Sequence, residues 1–151
     1  MAPFALSRAT ANDIPEIVEV CYQAFTDPEI HAVFTGPDTA EGHAAYTERL
    51  VQISKDDPAD YWIKVTDIAS NKIIAGSQWK LHQSNVPDHA RSAEKAVSWQ
   101  TGAALEEAKK VYGNIQDART RLFTEPYIRM SMSCKLGSLE PWSCRLFADS
   151  S

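Results

Sequence analysis

The chain has 151 residues, the length of one typical domain, and its 44% hydrophobic and 23% charged residues are ordinary for a globular protein. This composition excludes a chain that is disordered throughout, a collagen and a long coiled coil. The 15 basic and 20 acidic residues give a net charge of −5 at pH 7, so nucleic acid is not an expected partner.

The first elements in the chain are a strand and a helix. Residues 4–8 alternate weakly between apolar and polar and predict a short strand, and apolar residues at helical spacing predict a helix over 14–25. Asp13 stands at the N-cap position, Glu16 follows three residues later, and Pro15 suits the first turn. We therefore expect a capping box, in which Asp13 accepts hydrogen bonds from the first turn and Glu16 reaches back to it.

A short linking segment and a second helix follow. Turn signals at Asp27–Pro28 and Gly36–Pro37 enclose a segment that is too short for more than a turn or two of helix. Beyond it, apolar residues at helical spacing predict a helix that begins near Thr39 and ends before the turn at Asp56–Pro58.

The middle of the chain predicts an antiparallel hairpin. Residues 61–67 are rich in aromatic and β-branched side chains, and residues 72–81 form the returning strand after a turn around Ser70 and Asn71. Gly76 interrupts the returning strand, which indicates a bulge or a close backbone approach.

A long helix and a last strand end the regular part of the sequence. Helical periodicity covers residues 102–123, and alternation over 127–134 predicts a half-buried strand. The apolar face of that strand is expected to hold Ile128, Met130, Met132 and Cys134. The composition changes near Pro126, and the final residues have no sustained period. We therefore divide the chain into a scaffold over residues 1–126 and a strand with a weakly specified tail over residues 127–151.

The sequence indicates a cytoplasmic protein without a membrane segment. No apolar run approaches the roughly 20 residues of a membrane helix, and no basic leader precedes an apolar stretch at the N-terminus. The three cysteines, Cys21, Cys134 and Cys144, are odd in number and irregularly spaced, as is typical of reduced thiols. Cys21 lies on the apolar side of the first helix and is expected to be a small buried side chain.

No residue pattern in the sequence names a reaction. The six glycines are scattered and form no phosphate-binding motif, and the G-x-S-x-G nucleophile motif is absent. The spacing of the histidines and cysteines does not fit a zinc site, so no metal is expected.

The order of the predicted elements and two stretches of sequence resemble the GNAT family of N-acetyltransferases, particularly its fungal members. FALSRATANDIPEIVEVCYQAFTDP looks like the opening strand and first helix of that family, and YWIKVTDIASNKIIAGSQWKL looks like its second and third strands. The resemblance covers about residues 4–125. It implies an α+β fold with the order strand, helix, helix, hairpin, helix, strand, truncated before the second half of the sheet.

The resemblance also implies an activity, namely the transfer of an acetyl group from acetyl-CoA to an amine of a small molecule. In that family the backbone of the fourth strand lines the pantetheine arm of the donor, which here implies contacts from Met130, Ser131 and Met132. An acceptor is expected to contact the segment between the first two helices, around Phe25 and Phe34.

The sequence departs from the family after the fourth strand. The family places a glycine-rich loop there, whose backbone N–H groups bind the pyrophosphate, but only Gly137 is available and the pattern cannot be placed. We therefore expect the chain to be weakly active or inactive, and its fourth strand, as a sheet edge, to favour self-association. A frame change or altered splice near Pro126 is one hypothesis for such a tail.

Two further interpretations stay open from the sequence alone. In the first, the chain is a non-catalytic binding or remnant scaffold protein derived from an acetyltransferase, which keeps the framework without the cofactor loop. In the other it is an unrelated α+β domain.

Overall fold

The computed structural model describes residues 3–89 and 99–136, which form four helices, a π-helical segment and four strands. In chain order they are β1 (Phe4–Arg8), α1 (Ile14–Ala24), α2 (Pro28–Ile30), the π-helical segment (His31–Thr35), α3 (Ala40–Asp56), β2 (Asp60–Asp67), β3 (Lys72–His82), α4 (Gly102–Leu122) and β4 (Tyr127–Lys135). The predicted α+β order is confirmed. The predicted tail lies outside the described residues from 137 onward.

The four strands form one antiparallel sheet in the order β1-β2-β3-β4. Each strand pairs with its neighbour along the chain, so the hairpin predicted for β2 and β3 is confirmed. Asn71 turns this hairpin with a φ of 54°, a left-handed conformation that asparagine adopts more readily than most residues. β1 and β4 are the two edges of the described sheet. Within residues 3–89 and 99–136 no helix is long and apolar enough to cross a membrane.

Helices α1 and α3 cover one face of the sheet and form the main core with it. The side chains of α1 that are fully buried are Ile14, Ile17, Val18 and Cys21. The remaining buried members of this cluster are Ala9, Val20, Tyr22, Tyr46, Leu50, Trp62, Ile73 and Cys134. The expectation of a buried Cys21 is therefore confirmed, and α1 is the central element of the core.

A bulge in β4 divides the apolar face that the sequence predicts for this strand. Gln78 lies opposite Met132, but the next residue of β3, Trp79, lies opposite Met130, so Ser131 is an extra residue. Because neighbouring residues of β3 point to opposite faces, Met130 and Met132 also do so. The prediction of one continuous apolar face is wrong, since Met132 packs against the core while Met130 is exposed.

The predicted capping box at the start of α1 is also wrong. Asp13 Oδ2 accepts hydrogen bonds from the backbone N–H and hydroxyl of Thr10, and its Oδ1 pairs with Lys64 Nζ at 2.5 Å. Glu16 Oε1 accepts a hydrogen bond from the backbone N–H of Ile73 at 2.7 Å. These partners compete with the first turn of the helix. Asp13 therefore connects α1 to the preceding loop and to β2, and Glu16 connects it to β3.

Gly76 is the point of closest approach between α1 and the sheet. A Cβ atom at this position would overlap Ile17 Cγ2 and would lie 3.2 Å from Ile17 Cγ1. Ile17 has no exposed surface and cannot move away from such an atom. The close approach that the sequence indicates for Gly76 is therefore confirmed.

We expect Gly76→Ala to lower the free energy of unfolding by about 1–3 kcal/mol, because the added methyl group overpacks the core against Ile17. Gly113 is the matched control: it lies inside α4, and apart from the backbone of its own helix no described atom lies within 4 Å of the position that its Cβ would take. Gly113→Ala should raise the stability by about 0.5–1 kcal/mol through helix propensity. Urea unfolding followed by circular dichroism measures both, and changes of the same sign would contradict this packing.

Candidate functional site

The strand β4 carries the three residues predicted to contact an acyl donor. Met130 is 54% exposed. Ser131 is the extra residue of the bulge, and its hydroxyl accepts a hydrogen bond from Arg129 Nη1 at 2.7 Å. Met132 packs against the core, where the hydroxyl of Tyr46 donates a hydrogen bond to its Sδ at 3.3 Å. The three residues are therefore adjacent along the strand, but their side chains have different surroundings.

The outer edge of β4 pairs with no strand in the described part of the chain. In an antiparallel pair, alternate backbone N–H and C=O groups of a strand point away from its partner. Such an edge can bind an extended molecule that carries amide groups, which adds to the sheet like another strand. The bulge at Ser131 interrupts the regular pairing with β3 in the middle of this edge.

The two residues predicted to contact an acceptor both lie between α1 and α3, Phe25 at the start of this segment and Phe34 within it. Phe25 ends α1, where its backbone N–H donates to the carbonyl of Cys21 at 2.8 Å, and it packs against the main core. Phe34 belongs to the π-helical segment and is 39% exposed, and its carbonyl accepts a hydrogen bond from Arg49 Nη2 at 2.5 Å. Phe25 and Met132 thus border the same core cluster, and Phe34 does not.

The π-helical segment is held by side chains that follow residue 98. The indole N–H of Trp99 and the amide of Gln100 both donate to the carbonyl of Ala32, each at 3.1 Å. Val33 of this segment and Ala108 of α4 form a second small buried cluster. π-helical turns are uncommon and occur often at functional sites. The bond from Arg49 of α3 to Phe34 and the contact of Val33 with Ala108 of α4 together fix this segment on two sides.

A stack of aromatic rings packs against the same segment. The ring of Tyr22 stacks on that of His31, at a centroid distance of 5.2 Å, and on that of His43, at 3.7 Å. The hydroxyl of Tyr22 donates to the carbonyl of Thr35 at 2.8 Å, and Thr35 Oγ1 also lies 2.8 Å from His31 Nδ1. Burial raises the pKa of Tyr22 above its usual value. The phenol is therefore a neutral hydrogen-bond donor near neutral pH.

Arg49 of α3 connects this segment to α4 and the core. Its guanidinium lies over two aromatic rings, 4.9 Å from the centroid of Tyr46 and 4.8 Å from that of Trp99. Burial lowers the pKa of Arg49, but arginine stays protonated at neutral pH, so a positive charge lies beside the predicted acceptor segment. The two stacked rings and the bond to the carbonyl of Phe34 together fix the orientation of this charge.

His43 bridges two carboxylates on the outer side of the aromatic stack. Its Nδ1 lies 2.9 Å from Glu19 Oε1, and its Nε2 lies 2.7 Å from Asp38 Oδ1. Burial of the ring opposes protonation, but the two carboxylates outweigh it, and the pKa of His43 is raised above its usual value. Since both ring nitrogens face acceptors, the protonated imidazole fits this site best.

We expect the stability contributed by His43 to fall as the pH rises. Because its pKa is higher in the folded than in the unfolded chain, the contribution is complete below about pH 6.5 and is lost as the pH rises through the folded pKa. The unfolding free energy of the wild type minus that of His43→Gln should therefore decrease between about pH 6 and pH 8.

The comparison with His43→Gln isolates this residue, because the other titrating groups are common to both chains and cancel in the difference. The comparison is needed because burial lowers the pKa values of His82 and His89, so their contributions to stability rise with pH. The variant also loses the stacking on Tyr22, which is present at every pH. Urea unfolding from pH 5.5 to 8.5 measures both chains. A difference that is constant over this range would contradict the bridge.

An open groove runs between α1 and α3 beside His43, with a volume of about 1090 Å³. Its carboxylates come from Glu16, Glu19, Asp38 and Glu48. Three of these already bind partners within the protein, the backbone of Ile73 or the ring of His43. Neither of the predicted acceptor residues lines this groove. Among the described residues, no group of three or more His, Cys, Asp or Glu side chains is placed to hold a metal ion.

Two solved acetyltransferases share this fold. The histone acetyltransferase HPA2 and related acetyltransferase from Corynebacterium glutamicum superposes with a TM-score of 0.51 at 17% identity, over 89% of this chain and 61% of that one. The mosquito arylalkylamine N-acetyltransferase like 5b superposes with a TM-score of 0.52 at 14% identity, over 93% of this chain and 64% of that one. No protein-family model matches the sequence, and no curated protein does.

These superpositions confirm the predicted GNAT-like α+β fold. Identities below 20% establish a shared fold, whereas activity depends on the residues of a site. The chain spans less than two thirds of the length of either neighbour.

Proposed function

We propose that the protein is of the N-acetyltransferase type, with acetyl-CoA as the acyl donor and the amine of a small molecule as the acceptor. The observation that carries this proposal is the outer edge of β4, which pairs with no described strand, in a sheet whose fold is shared with two acetyltransferases. We propose further that the 151-residue chain by itself binds the donor weakly and has little or no activity. The activity of both neighbours is a property of chains that are longer than this one.

The edge of β4 suits the amide-containing arm of acetyl-CoA. The pantetheine arm is extended and carries two amide groups, and the outward N–H and C=O groups of an edge strand are complementary to amides. We assign this contact to the backbone of Met130, Ser131 and Met132, beside the bulge. Acetyl-CoA would supply a thioester there, from which an amine can take the acetyl group.

The sequence after β4 offers no comparable pattern for the phosphates of acetyl-CoA. After Lys135 and Leu136 the sequence continues Gly137-Ser-Leu-Glu-Pro, which contains a single glycine and no pattern that places several backbone N–H groups around a pyrophosphate. The net charge of −5 does not favour a polyanion either. The residues therefore fit one part of the donor and not the other, and this is why we propose weak binding.

The acceptor is assigned to the segment around Phe25 and Phe34. The exposed ring of Phe34 offers an apolar surface, and its backbone is held in place by Arg49. One of the structural neighbours is an arylalkylamine N-acetyltransferase-like protein, so an amine with an aromatic ring, such as tryptamine, is a suitable probe.

Nuclear magnetic resonance of the uniformly ¹⁵N-labelled chain tests these assignments. Millimolar acetyl-pantetheine should shift the amide signals of residues 129–135, and tryptamine should shift those around Phe34. Phe34→Ala should weaken the response to tryptamine by about 2- to 10-fold. Phe4→Ala is the matched control, since Phe4 is similarly exposed (43%) but lies on β1 at the opposite edge of the sheet. Shifts confined to the groove between α1 and α3 would contradict both assignments.

The same edge, unpaired among the described strands, leads us to propose that two copies of the chain associate. An edge strand with unpaired N–H and C=O groups pairs readily with another strand. We expect size-exclusion chromatography with light scattering to detect dimers, and the fraction of dimer should rise with protein concentration. Saturating acetyl-pantetheine should reduce them, because it occupies the same edge. A sharp monomer peak at all concentrations would contradict the association.

A further inference from the structure

Two buried thiols meet where α1 packs against β4. Cys21 Sγ and Cys134 Sγ lie 2.7 Å apart, and both residues are free cysteines. Cys21 has no exposed surface and Cys134 is 4% exposed. The two residues are 113 positions apart in the sequence, so the contact is made only in the folded chain. An S–S bond is about 2.05 Å long, so only a small further approach separates these thiols from a covalent bond.

The surroundings of the pair contain neither a metal-ligand set nor a charged partner among the described residues. Met132 Sδ lies 3.7 Å from Cys21 Sγ, and the nearest backbone acceptors of Cys134 are the carbonyls of Gly76 and Ile17, at 3.6 and 3.9 Å. The contact with Cys134 and burial raise the pKa of Cys21. The closed protein therefore keeps this thiol protonated and slow to react.

We propose that Cys21 and Cys134 are a site of covalent modification, at which a small-molecule disulfide such as oxidised glutathione converts the two thiols into a reversible disulfide between α1 and β4. This inference does not depend on the proposed function. It also differs from the expectation of permanently reduced thiols, because the short distance makes the pair far easier to oxidise than two isolated cysteines.

The reaction balances through two thiol–disulfide exchanges. The thiolate of one cysteine attacks the small disulfide, which forms a mixed disulfide and releases one small thiolate. The thiolate of the other cysteine then attacks the protein sulfur of the mixed disulfide, which forms the Cys21–Cys134 bond and releases the second small thiolate. The two protons of the cysteines end on the two released thiols, and the two electrons that the cysteines lose reduce the small disulfide.

The position of β4 explains how a buried pair can react. β4 is an edge strand that pairs only with β3 among the described strands, so it opens more readily than the centre of the sheet. Opening of β4 exposes Cys134 to the small disulfide, and closing of β4 brings Cys134 back to Cys21. Once formed, the bond fastens this edge strand to the most deeply buried of the described helices.

Peptide mapping of the full chain tests the proposal. The Cys144→Ser variant is incubated with oxidised glutathione, unreacted thiols are alkylated in denaturant, and the chain is digested with trypsin. Cleavage after Arg8 and Arg49, and after Arg129 and Lys135, places the two cysteines in separate peptides, 9–49 and 130–135. We expect one linked product whose mass equals the sum of these peptides minus two hydrogens. Alkylated peptides without the linked product would overturn the proposal.

The oxidised and reduced forms of this Cys144→Ser variant should also differ in stability. Closing a loop of 113 residues should raise Tm by roughly 5–15 °C, and dithiothreitol should reverse the shift. Hydrogen exchange of the β4 amides should slow on oxidation. Cys134→Ser should show neither effect, and if that variant does not fold, the oxidised and reduced forms of Cys144→Ser still decide the question. An oxidised chain with an unchanged Tm, or glutathione adducts without a crosslink, would overturn the proposal.

Discussion

Replacement of Asp60 by alanine should lower the free energy of unfolding by about 3–5 kcal/mol. The side chain of Asp60 is completely buried and accepts three hydrogen bonds. Its donors are Trp62 Nε1 at 2.6 Å, Gln78 Nε2 at 2.7 Å and Lys80 Nζ at 2.6 Å. Asp60→Ala leaves these donors without their shared acceptor inside the protein, and one of them is charged. Urea unfolding followed by circular dichroism and by tryptophan fluorescence measures the loss.

Asp57 provides the matched control, because it binds the same lysine from a more exposed position. Its carboxylate lies 2.8 Å from Lys80 Nζ and is 38% exposed. Asp57→Ala should therefore cost about 1 kcal/mol or less, since water replaces the lost partner. Equal losses for Asp57→Ala and Asp60→Ala would contradict the claim that the large effect of Asp60 on the free energy of unfolding comes from its burial and not from its pairing with the lysine.

The second large effect concerns the acyl donor. We expect no saturable binding of acetyl-CoA at micromolar concentrations in titration calorimetry on the 151-residue chain. Complete phosphate sites bind through several charge-assisted hydrogen bonds, each of which contributes about 1.5–3 kcal/mol. Their loss weakens binding by several orders of magnitude. A low-micromolar dissociation constant would contradict this, and would mean that residues after Leu136 bind phosphate in a way that their sequence does not reveal.

The helices and strands were predictable because their signals are local. The strand bounds of residues 4–8 and the start of the last strand at Tyr127 follow from alternation, and the helix predicted over 14–25 ends one residue earlier in the structure. The helix predicted over 102–123 is likewise confirmed to within one residue. Its apolar stripe was less informative, since Leu122 is exposed and the polar Gln116 is buried.

The features that sequence reasoning missed depend on contacts between distant parts of the chain. Asp13 and Glu16 fit a capping box locally, but Lys64 and the backbone of Ile73 are stronger partners once the sheet has formed. The bulge at Ser131 follows from pairing with β3, and nothing within β4 reveals it. For that reason, the alternation in the sequence wrongly predicted that Met130 lies on the same face as Met132.

The candidate site was predictable only in part for the same reason. The segment around Phe34 was recognised by its position between two helices, but its fixation by Arg49 was not, because the two residues lie 15 positions apart. Apolar residues at helical spacing predicted α3, but they gave no reason to single out the arginine that stacks on the ring of Tyr46. Similarly, no local pattern connects His43 to Glu19, which lies in a different helix.

The central proposal, that β4 binds the amide arm of acetyl-CoA while no phosphate-binding pattern follows it in the sequence, is tested most directly by comparing two donors. Acetyl-pantetheine carries the thioester and the amides without the phosphates. In ¹⁵N titrations at millimolar concentration, acetyl-CoA and acetyl-pantetheine should shift the same β4 amides, with dissociation constants that agree within about threefold. Acetyl-CoA that binds about 100-fold more tightly than acetyl-pantetheine, or shifts that avoid residues 129–135, would contradict the account.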